Sequence, residues 1–203
     1  MPGSADLAAA LEGDVLDVAP RLLGSVLRHR TEEGTVGIRL TEVEAYDGPR
    51  DPGSHAHRGR TARNAVMFGP SGRLYVYFTY GMHHCCNVVV GEEGDPAAVL
   101  LRAGEVVEGV DLARSRRTGS DRDLARGPAR LCQALAIDLR HNGADLREGA
   151  LTLTPGTVPP RIGRGPRVGL RLAADRPWRF WAQDEPSVSA YRPASLRRRA
   201  RTS

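Results

Sequence analysis

The first half of the chain contains two strand-like segments joined by a short turn, and this pair most restricts the possible fold. Ser25–Arg30 and Thr35–Tyr46 carry β-branched residues and leucines, and Glu32-Glu33-Gly34 separates them. Two such runs across a short connection that contains glycine are typical of a β-hairpin. The sequence therefore predicts antiparallel strands in this region.

The rest of the chain adds a few helices and further strands. We expect Pro128 to begin a helix that runs to Ile137, because proline suits a first helical turn and apolar residues follow at helical spacing. The long segment Asp47–Arg63 is rich in Gly, Pro, His and Arg, and such a loop inside a compact domain is usually functional or disordered. The mixture favours a single α+β domain over residues 1–191, followed by a basic, disordered tail over residues 192–203. The other predicted elements are a short helix over Asp6–Leu11 capped by Asp6, a helix or turn over Leu16–Gly24, a second hairpin formed by Val66–Phe68 and Leu74–Tyr80, apolar runs at Asn87–Val90 and Ala97–Leu101, and late strands over Arg161–Ala173 and Trp178–Trp181.

Composition narrows the possible chemistry. All 29 basic residues are arginines, so no lysine amine is available to form a Schiff base. The net charge of +5 suggests a polyanionic partner. Three cysteines, two of them adjacent, make no disulfide framework and fit a reducing cytoplasm. The chain has no run of eighteen apolar residues and no basic-then-apolar leader, so we expect neither a membrane span nor a secretory signal.

Two carboxylates lie on the strand that ends at Tyr46. Side chains alternate across a strand, so Glu42, Glu44 and Tyr46 share one face. Two acids beside an aromatic ring at the mouth of a polar loop could perform acid–base chemistry. The spacing alone favours the simpler alternative, a solvated strand face.

Three of the five tyrosines lie within Leu74–Tyr80, and Gly81 and Met82 follow directly. Aromatic residues often pack across the strands of a sheet, and the pattern alone favours that interpretation. A large ring and a thioether at a turn could instead form a wedge, which some proteins use to unstack a DNA duplex.

Two further groups of residues are ambiguous. His83-His84-Cys85-Cys86 could suggest zinc, but neighbouring strand residues point to opposite faces and no second ligand pair has metal-site spacing. We therefore expect no metal, and Cys85 and Cys86 are better read as core or pocket wall. Arg102 ends the apolar run that begins at Ala97, and it could either emerge into solvent or point back at a carboxylate.

An ordered set of motifs between Leu22 and Ser189 resembles the alkyladenine (3-methyladenine) DNA glycosylase family, whose members excise purines. The resemblance implies a curved antiparallel sheet with a protruding β-hairpin and flanking helices, a monomer, and double-stranded DNA containing damaged purines as the partner. It implies no cofactor and a cytoplasmic, nucleoid-associated location. The motifs are Thr41–Tyr46, Ser54-His55, Arg63-Asn64, Leu74–Tyr77, Tyr80-Gly81-Met82, Cys85, Asn87, Val99–Arg102 and Gly127–Leu135.

The same resemblance implies a chemical role for Glu44 and Arg102. Glu44 matches the general base that deprotonates an attacking water, and Arg102 matches the arginine that helps to hold that water and the carboxylate. The expected substrates are 3-methyladenine, 7-methylguanine, hypoxanthine and 1,N6-ethenoadenine. Because the chain has no lysine, strand cleavage by β-elimination is not expected. If Met1 is removed, the secondary amine of Pro2 is the one alternative nucleophile, and it ranks far below water.

Other matched positions would hold the DNA. Tyr46, His55 and Tyr77 match the walls around the extruded base, and Asn87 matches the residue that crowds the amino group of normal guanine. Tyr80 and Met82 match hairpin side chains that intercalate or press on neighbouring bases. The set is completed by Cys85 and Leu100 in the base pocket and by Arg60 and Arg63 at the DNA backbone.

The sequence also departs from the family pattern. His83 and His84 replace aromatic residues, His57 is an additional histidine, and Ala65-Val66 replaces a more usual Arg-Gly pair. Two rival functions remain open. One is a lesion-binding module without turnover, and the other is a nucleotide- or tRNA-binding domain like the C-terminal domain of methionyl-tRNA formyltransferase. The intact Glu44 argues against the first.

Overall fold

The computed structural model describes residues 4–79 and 81–194, and one antiparallel sheet contains all eight strands of these residues. The strands are β1 (Val26–Thr31), β2 (Gly34–Tyr46), β3 (Leu74–Thr79), β4 (His83–Val90), β5 (Ala97–Glu108), β6 (Leu151–Thr154), β7 (Ile162–Gly165) and β8 (Arg179–Ala182). The helices are α1 (Ser4–Ala10), α2 (Val15–Arg21), α3 (Val110–Arg116) and α4 (Pro128–Ala134), with 3-10 turns at Gly48–Arg50, Ala65–Phe68, Asp121–Asp123 and Leu139–His141.

The long strand β2 lies at the centre of the sheet. It pairs with β5 along most of one edge, while its other edge pairs first with β1 and then, from Glu42 to Glu44, with β8. The register against β5 shifts between Leu40 and Val43. Because bulges bend a strand and increase its twist, the sheet is curved, and the predicted α+β class with a curved antiparallel sheet is confirmed. Glu42 and Glu44 thus lie in the middle of the sheet.

Apolar side chains pack on both faces of the sheet. The larger cluster joins the helices to the sheet through residues such as Leu22, Val43 and Leu131. A smaller cluster on a different part of the sheet contains Met67 and Tyr75 together with Ala56, Val89 and Ala98. Since Ala56 belongs to the polar loop after β2, this second cluster fixes that loop against the sheet.

The first predicted hairpin is confirmed, but the second is wrong in its partner. Val66–Phe68 lies in a 3-10 turn, and β3 pairs with β4 instead. A run of three apolar residues cannot distinguish a strand from a helical turn. Here the run contributes the buried Met67 to the smaller cluster.

Several other predicted boundaries also differ. Only Ile162–Gly165 of the predicted strand Arg161–Ala173 is a strand, because Pro166 has no N–H to continue the ladder. Asp6 lies in the first turn of α1 and is not its cap. The helix from Pro128 ends at Ala134, and Ala136 has a positive φ of 53°.

The structure also contains elements that the sequence did not suggest. These are α3 and β6. In addition, β4 begins at His83 and β5 ends at Glu108, so both strands are longer than the two predicted apolar runs. Across the described residues, every helix is too short or too polar to serve as a transmembrane segment. The predicted domain boundary at residue 191 stays a prediction, and most of the basic tail, Ser195–Ser203, lies outside the described residues.

Candidate active site

An open cavity of about 330 Å³ lies where the end of β2 meets the polar loop, the β3–β4 hairpin and the segment that follows β7. Its lining includes Glu44, Tyr46, His55, Tyr77 and Arg102. The structure therefore brings together predicted residues that are up to 58 positions apart in the sequence. The cavity lies within the size range of small-molecule sites.

The carboxylate of Glu44 is fully buried at the inner wall of this cavity. Its Oε2 accepts a hydrogen bond of 2.9 Å from the Tyr46 hydroxyl. Its Oε1 accepts one of 2.7 Å from the Val168 backbone N–H and lies 3.3 Å from Nη1 of Arg102. A carboxylate offers about four acceptor directions. Two are filled by these hydrogen bonds, and Arg102 forms an ion pair at Oε1, so Oε2 keeps acceptor capacity for a further donor such as water.

Arg102 and Glu42 form the layer behind Glu44. Nε of Arg102 donates 2.9 Å to Oε1 of Glu42, and the same carboxylate accepts from Nε of Arg179 at 2.6 Å and from the backbone N–H of Ser189 at 2.7 Å. Burial disfavours the charged form of Arg102, but the nearby carboxylates of Glu44 and Glu42 favour that form more strongly. The pKa of Arg102 is therefore raised. Arg102 therefore points at the carboxylates, and the solvated-face interpretation of Glu42 and Glu44 is wrong because both are fully buried.

Tyr46 connects the acid to the wall of the cavity. Burial, with the nearby Glu44 carboxylate, raises the pKa of Tyr46 well above its usual value, so its hydroxyl stays protonated and donates. The guanidinium of Arg167 lies 4.6 Å from the centre of its ring. Arg167 does not line the cavity, so we place it behind the ring, leaving the other face toward the cavity.

A buried ion pair, which sequence analysis missed, fixes the segment that carries Val168. Arg167 and Asp51 are both fully buried and form two hydrogen bonds, one of them 2.8 Å from Nη2 to Oδ1. Arg167 also donates 2.9 Å to the carbonyl of Ala45, and its guanidinium lies 5.0 Å from the Trp178 ring. The pair ties the polar loop after β2 to Val168, whose N–H holds Glu44.

Three aromatic rings form the opposite wall. The rings of His55 and Tyr77 meet edge to face at 4.6 Å, and those of Tyr75 and Tyr77 stack at 5.6 Å. Nδ1 of His55 lies 3.1 Å from the Tyr75 hydroxyl. Partial enclosure and the charge of Arg63 lower the pKa of His55, so its imidazole is neutral near pH 7. Tyr75 was not predicted as a site residue, although its tyrosine-rich strand was singled out.

Three smaller residues form the remaining predicted wall. Asn87, Cys85 and Leu100 are all buried and all line the cavity. Nδ2 of Asn87 donates 3.3 Å to the carbonyl of Tyr75, which orients the amide. Burial raises the pKa of Cys85 to about 11, so the thiol is protonated and unreactive at neutral pH.

The structure places three of the four residues predicted to contact DNA. Met82 is 67% exposed at the tip of the β3–β4 hairpin, and Tyr80 lies outside the described residues. Arg60 is exposed on the polar loop. Arg63, from the same loop, is turned toward the aromatic wall, where Nη2 donates 3.2 Å to the carbonyl of Phe78.

Other histidines and metal-type residues do not join the site. His57 contacts the carbonyl of Pro49 at 2.8 Å within the loop, and the ring of His84 lies 5.1 Å from that of Phe78. Within residues 4–79 and 81–194 no group of three or more His, Cys, Asp or Glu side chains could hold a metal ion.

The fold and this cavity define the class of the protein. The family model for methylpurine-DNA glycosylases matches residues 9–186. The chain therefore belongs to the methylpurine-DNA glycosylase family, and it is an enzyme that hydrolyses N-glycosyl bonds in DNA, with a role in DNA repair.

Its relatives agree with this assignment. It is 58% identical over 193 residues to a protein of Streptomyces avermitilis, with 91% of each chain covered. It is 55% identical to a protein of Leifsonia xyli subsp. xyli, covering 89% of this chain and 90% of the relative. It is 52% identical to one of Nocardia farcinica, covering 86% and 85%. Each relative carries a name that marks it as an inferred 3-methyladenine DNA glycosylase.

Proposed function

We propose that this enzyme removes alkylated and deaminated purines from duplex DNA by water attack and leaves an abasic site. The observation that carries the proposal is the buried Glu44 carboxylate at the inner wall of an aromatic cavity, where it accepts two hydrogen bonds and forms an ion pair with Arg102. A water bound there would lie between the Glu44 carboxylate, which acts as the general base, and the reacting carbon of the sugar. The names of the relatives support 3-methyladenine as one substrate.

The cavity also explains why the base must leave the duplex. A stacked purine cannot reach a buried carboxylate, so the nucleotide has to rotate out, at a cost of a few kcal/mol in lost stacking and pairing. Tyr46 on one side and His55 with Tyr77 on the other would hold the extruded base. We assign the wedge that fills the vacated space to Met82, which is exposed at the hairpin tip, and to Tyr80, two residues before it in the sequence.

Each residue at the reacting bond has one task in this mechanism. Glu44 accepts the proton of the water and stabilises positive charge on the sugar as the glycosidic bond breaks, as carboxylates do in glycoside hydrolysis. Arg102 holds Glu44 and the water in place. The bond from the sugar C1′ to the purine nitrogen breaks, its electrons leave with the base, and the water oxygen takes its place on C1′. No lysine is present to form an imine, so we infer that the enzyme has no lyase activity.

A labelled duplex with one hypoxanthine tests this proposal. The wild-type protein should produce strand breaks only after alkali treatment, which reveals abasic sites. Glu44→Gln should abolish release, a loss of at least about a hundredfold for a general base, while fluorescence anisotropy still reports binding. Glu93→Gln, on an exposed turn, is the matched control and should act like the wild type.

Other outcomes would contradict specific parts of the proposal. Equal release by Glu44→Gln would remove Glu44 as the base. Binding without release by the wild type on 3-methyladenine, 7-methylguanine, hypoxanthine and ethenoadenine duplexes would favour a lesion-binding module. Strand breaks before alkali would show lyase activity.

A further inference from the structure

Arg63 is an exposed residue of the polar loop that places a positive charge beside the aromatic wall of the cavity. Its guanidinium lies 5.9 Å from the centre of the Tyr77 ring, and Nη2 donates 3.2 Å to the carbonyl of Phe78. Tyr77 lines the cavity together with His55 and Tyr75. The charge of Arg63 is felt within this wall, since it contributes to the lowered pKa of His55.

Arg63 differs from the buried Arg102 and Arg167 because it is exposed and has no acidic partner. Arg102 is paired with Glu42 and Glu44, and Arg167 is paired with Asp51, so each of these buried charges is compensated. In the part of the chain that the structure describes, no carboxylate lies within 4 Å of the Arg63 guanidinium. The positive charge of Arg63 is therefore balanced by solvent and not by a carboxylate of the protein.

The candidate substrates differ in the charge of the purine that would enter the cavity. Purines alkylated at N3 or N7 are cations, whereas hypoxanthine and ethenoadenine are neutral at pH 7. An aromatic wall attracts a cation through its ring faces, but here one guanidinium already lies at Tyr77 and another covers Tyr46. A cationic base would lose part of this attraction and would meet the like charge of Arg63.

We propose that Arg63 is a specificity residue that makes the cavity favour neutral deaminated or etheno-bridged purines over cationic N-alkylated purines. This inference rests on the proposed purine excision. Two unit charges a few ångströms apart in a solvated cavity interact by an amount that changes relative rates about three- to tenfold.

The test compares two lesions in the same duplex sequence. We would measure kcat/KM for release of 7-methylguanine and of hypoxanthine, near pH 8 so that an ordinary imidazole with a pKa of about 6.5 is neutral in every variant. Arg63→Gln removes the charge and keeps an N–H donor for the carbonyl of Phe78. It should raise the ratio of 7-methylguanine to hypoxanthine release about three- to tenfold. Arg63→Lys keeps the charge and should leave the ratio near that of the wild type.

Arg60→Gln is the matched control, because Arg60, like Arg63, is an exposed arginine of the polar loop. A lost phosphate contact weakens binding of both duplexes alike, so this variant should lower both rates without changing their ratio. An unchanged ratio in Arg63→Gln, or the same shift in Arg60→Gln, would overturn the inference while leaving purine excision intact. No release of either base by the wild type would instead overturn the proposed function, and this inference with it.

Discussion

The guanidinium of Arg167 and the carboxylate of Asp51 form an ion pair in which neither side chain is exposed to solvent. Asp51 follows β2, and Arg167 follows β7, so the pair joins the two irregular segments that contribute His55 and Val168 to the cavity lining. Asp51 also accepts 2.9 Å from the backbone N–H of Gly53, two residues before His55. One pair thus positions the backbone near His55 and the Val168 N–H that binds Glu44.

The first prediction concerns the stability that this pair provides. Asp51→Asn leaves the buried guanidinium of Arg167 without a counter-charge, and breaking a buried pair in this way costs about 3–5 kcal/mol. Thermal and urea unfolding should show this loss. Asp47→Asn is the control, because Asp47 pairs with the exposed Arg50 and should cost about 1 kcal/mol or less. Equal losses in the two variants would contradict the central role of the buried pair.

The second prediction separates Glu42 from Glu44. Glu42 touches Arg102, Arg179 and Ser189 but does not line the cavity, so it is a positioning residue. Glu42→Gln should lower kcat for hypoxanthine release about tenfold to a hundredfold, because a small displacement of Arg102 misplaces the water. KM for the duplex should change little, and Glu42→Asp should recover part of kcat. A rise in KM with unchanged kcat would contradict this assignment.

The third prediction isolates the hydroxyl of Tyr46 from its ring. Tyr46→Phe removes the 2.9 Å hydrogen bond to Glu44 but keeps the ring beside Arg167. Loss of one hydrogen bond to a charged group, about 1.5–3 kcal/mol, should lower kcat by at least about tenfold while lesion affinity stays near that of the wild type. Tyr46→Ala removes the ring as well and should lower both kcat and lesion affinity. Loss of affinity in Tyr46→Phe would show that the hydroxyl, and not the ring, holds the base.

Local sequence patterns predicted the central hairpin and one part of the candidate site. Turn residues and β-branched strands identified β1 and β2, and alternation along β2 placed Glu44 and Tyr46 on one face, where they are hydrogen bonded. The direction of Arg102 could not be read in this way, because it depends on β2 and β5 pairing in a register that contains bulges.

Interactions between distant segments account for most of what sequence analysis missed. Asp51 and Arg167 are 116 positions apart, and Val168 N–H and Glu44 are 124 apart. Asp51, Arg167 and Val168 lie outside the regular helices and strands, so no periodicity marks them. The burial of Glu42 is equally nonlocal, since its partners Arg179 and Ser189 come from the last part of the described chain.

The fourth prediction concerns the pH dependence of stability at Asp145. Its carboxylate accepts 2.8 and 2.7 Å hydrogen bonds from Arg147 and lies 3.6 Å from Arg73, at the start of the β3 region. The hydrogen bond from Arg147 is the main cause that lowers the pKa of Asp145 to about 2, below the ordinary value of about 3.9. A carboxylate with a lowered pKa stabilises the fold above its unfolded-state pKa, and this stabilisation is lost as the pH falls toward the folded-state pKa.

Asp145→Asn should therefore lower the free energy of unfolding by about 1–2 kcal/mol at pH 7, and the deficit should shrink by about half near pH 3. Urea unfolding across this range provides the measurement. Asp175→Asn, at an exposed position, should cost less than about 0.5 kcal/mol at any pH. A deficit for Asp145→Asn that stays constant from pH 7 to pH 3 would show that its charge does not provide the stabilisation.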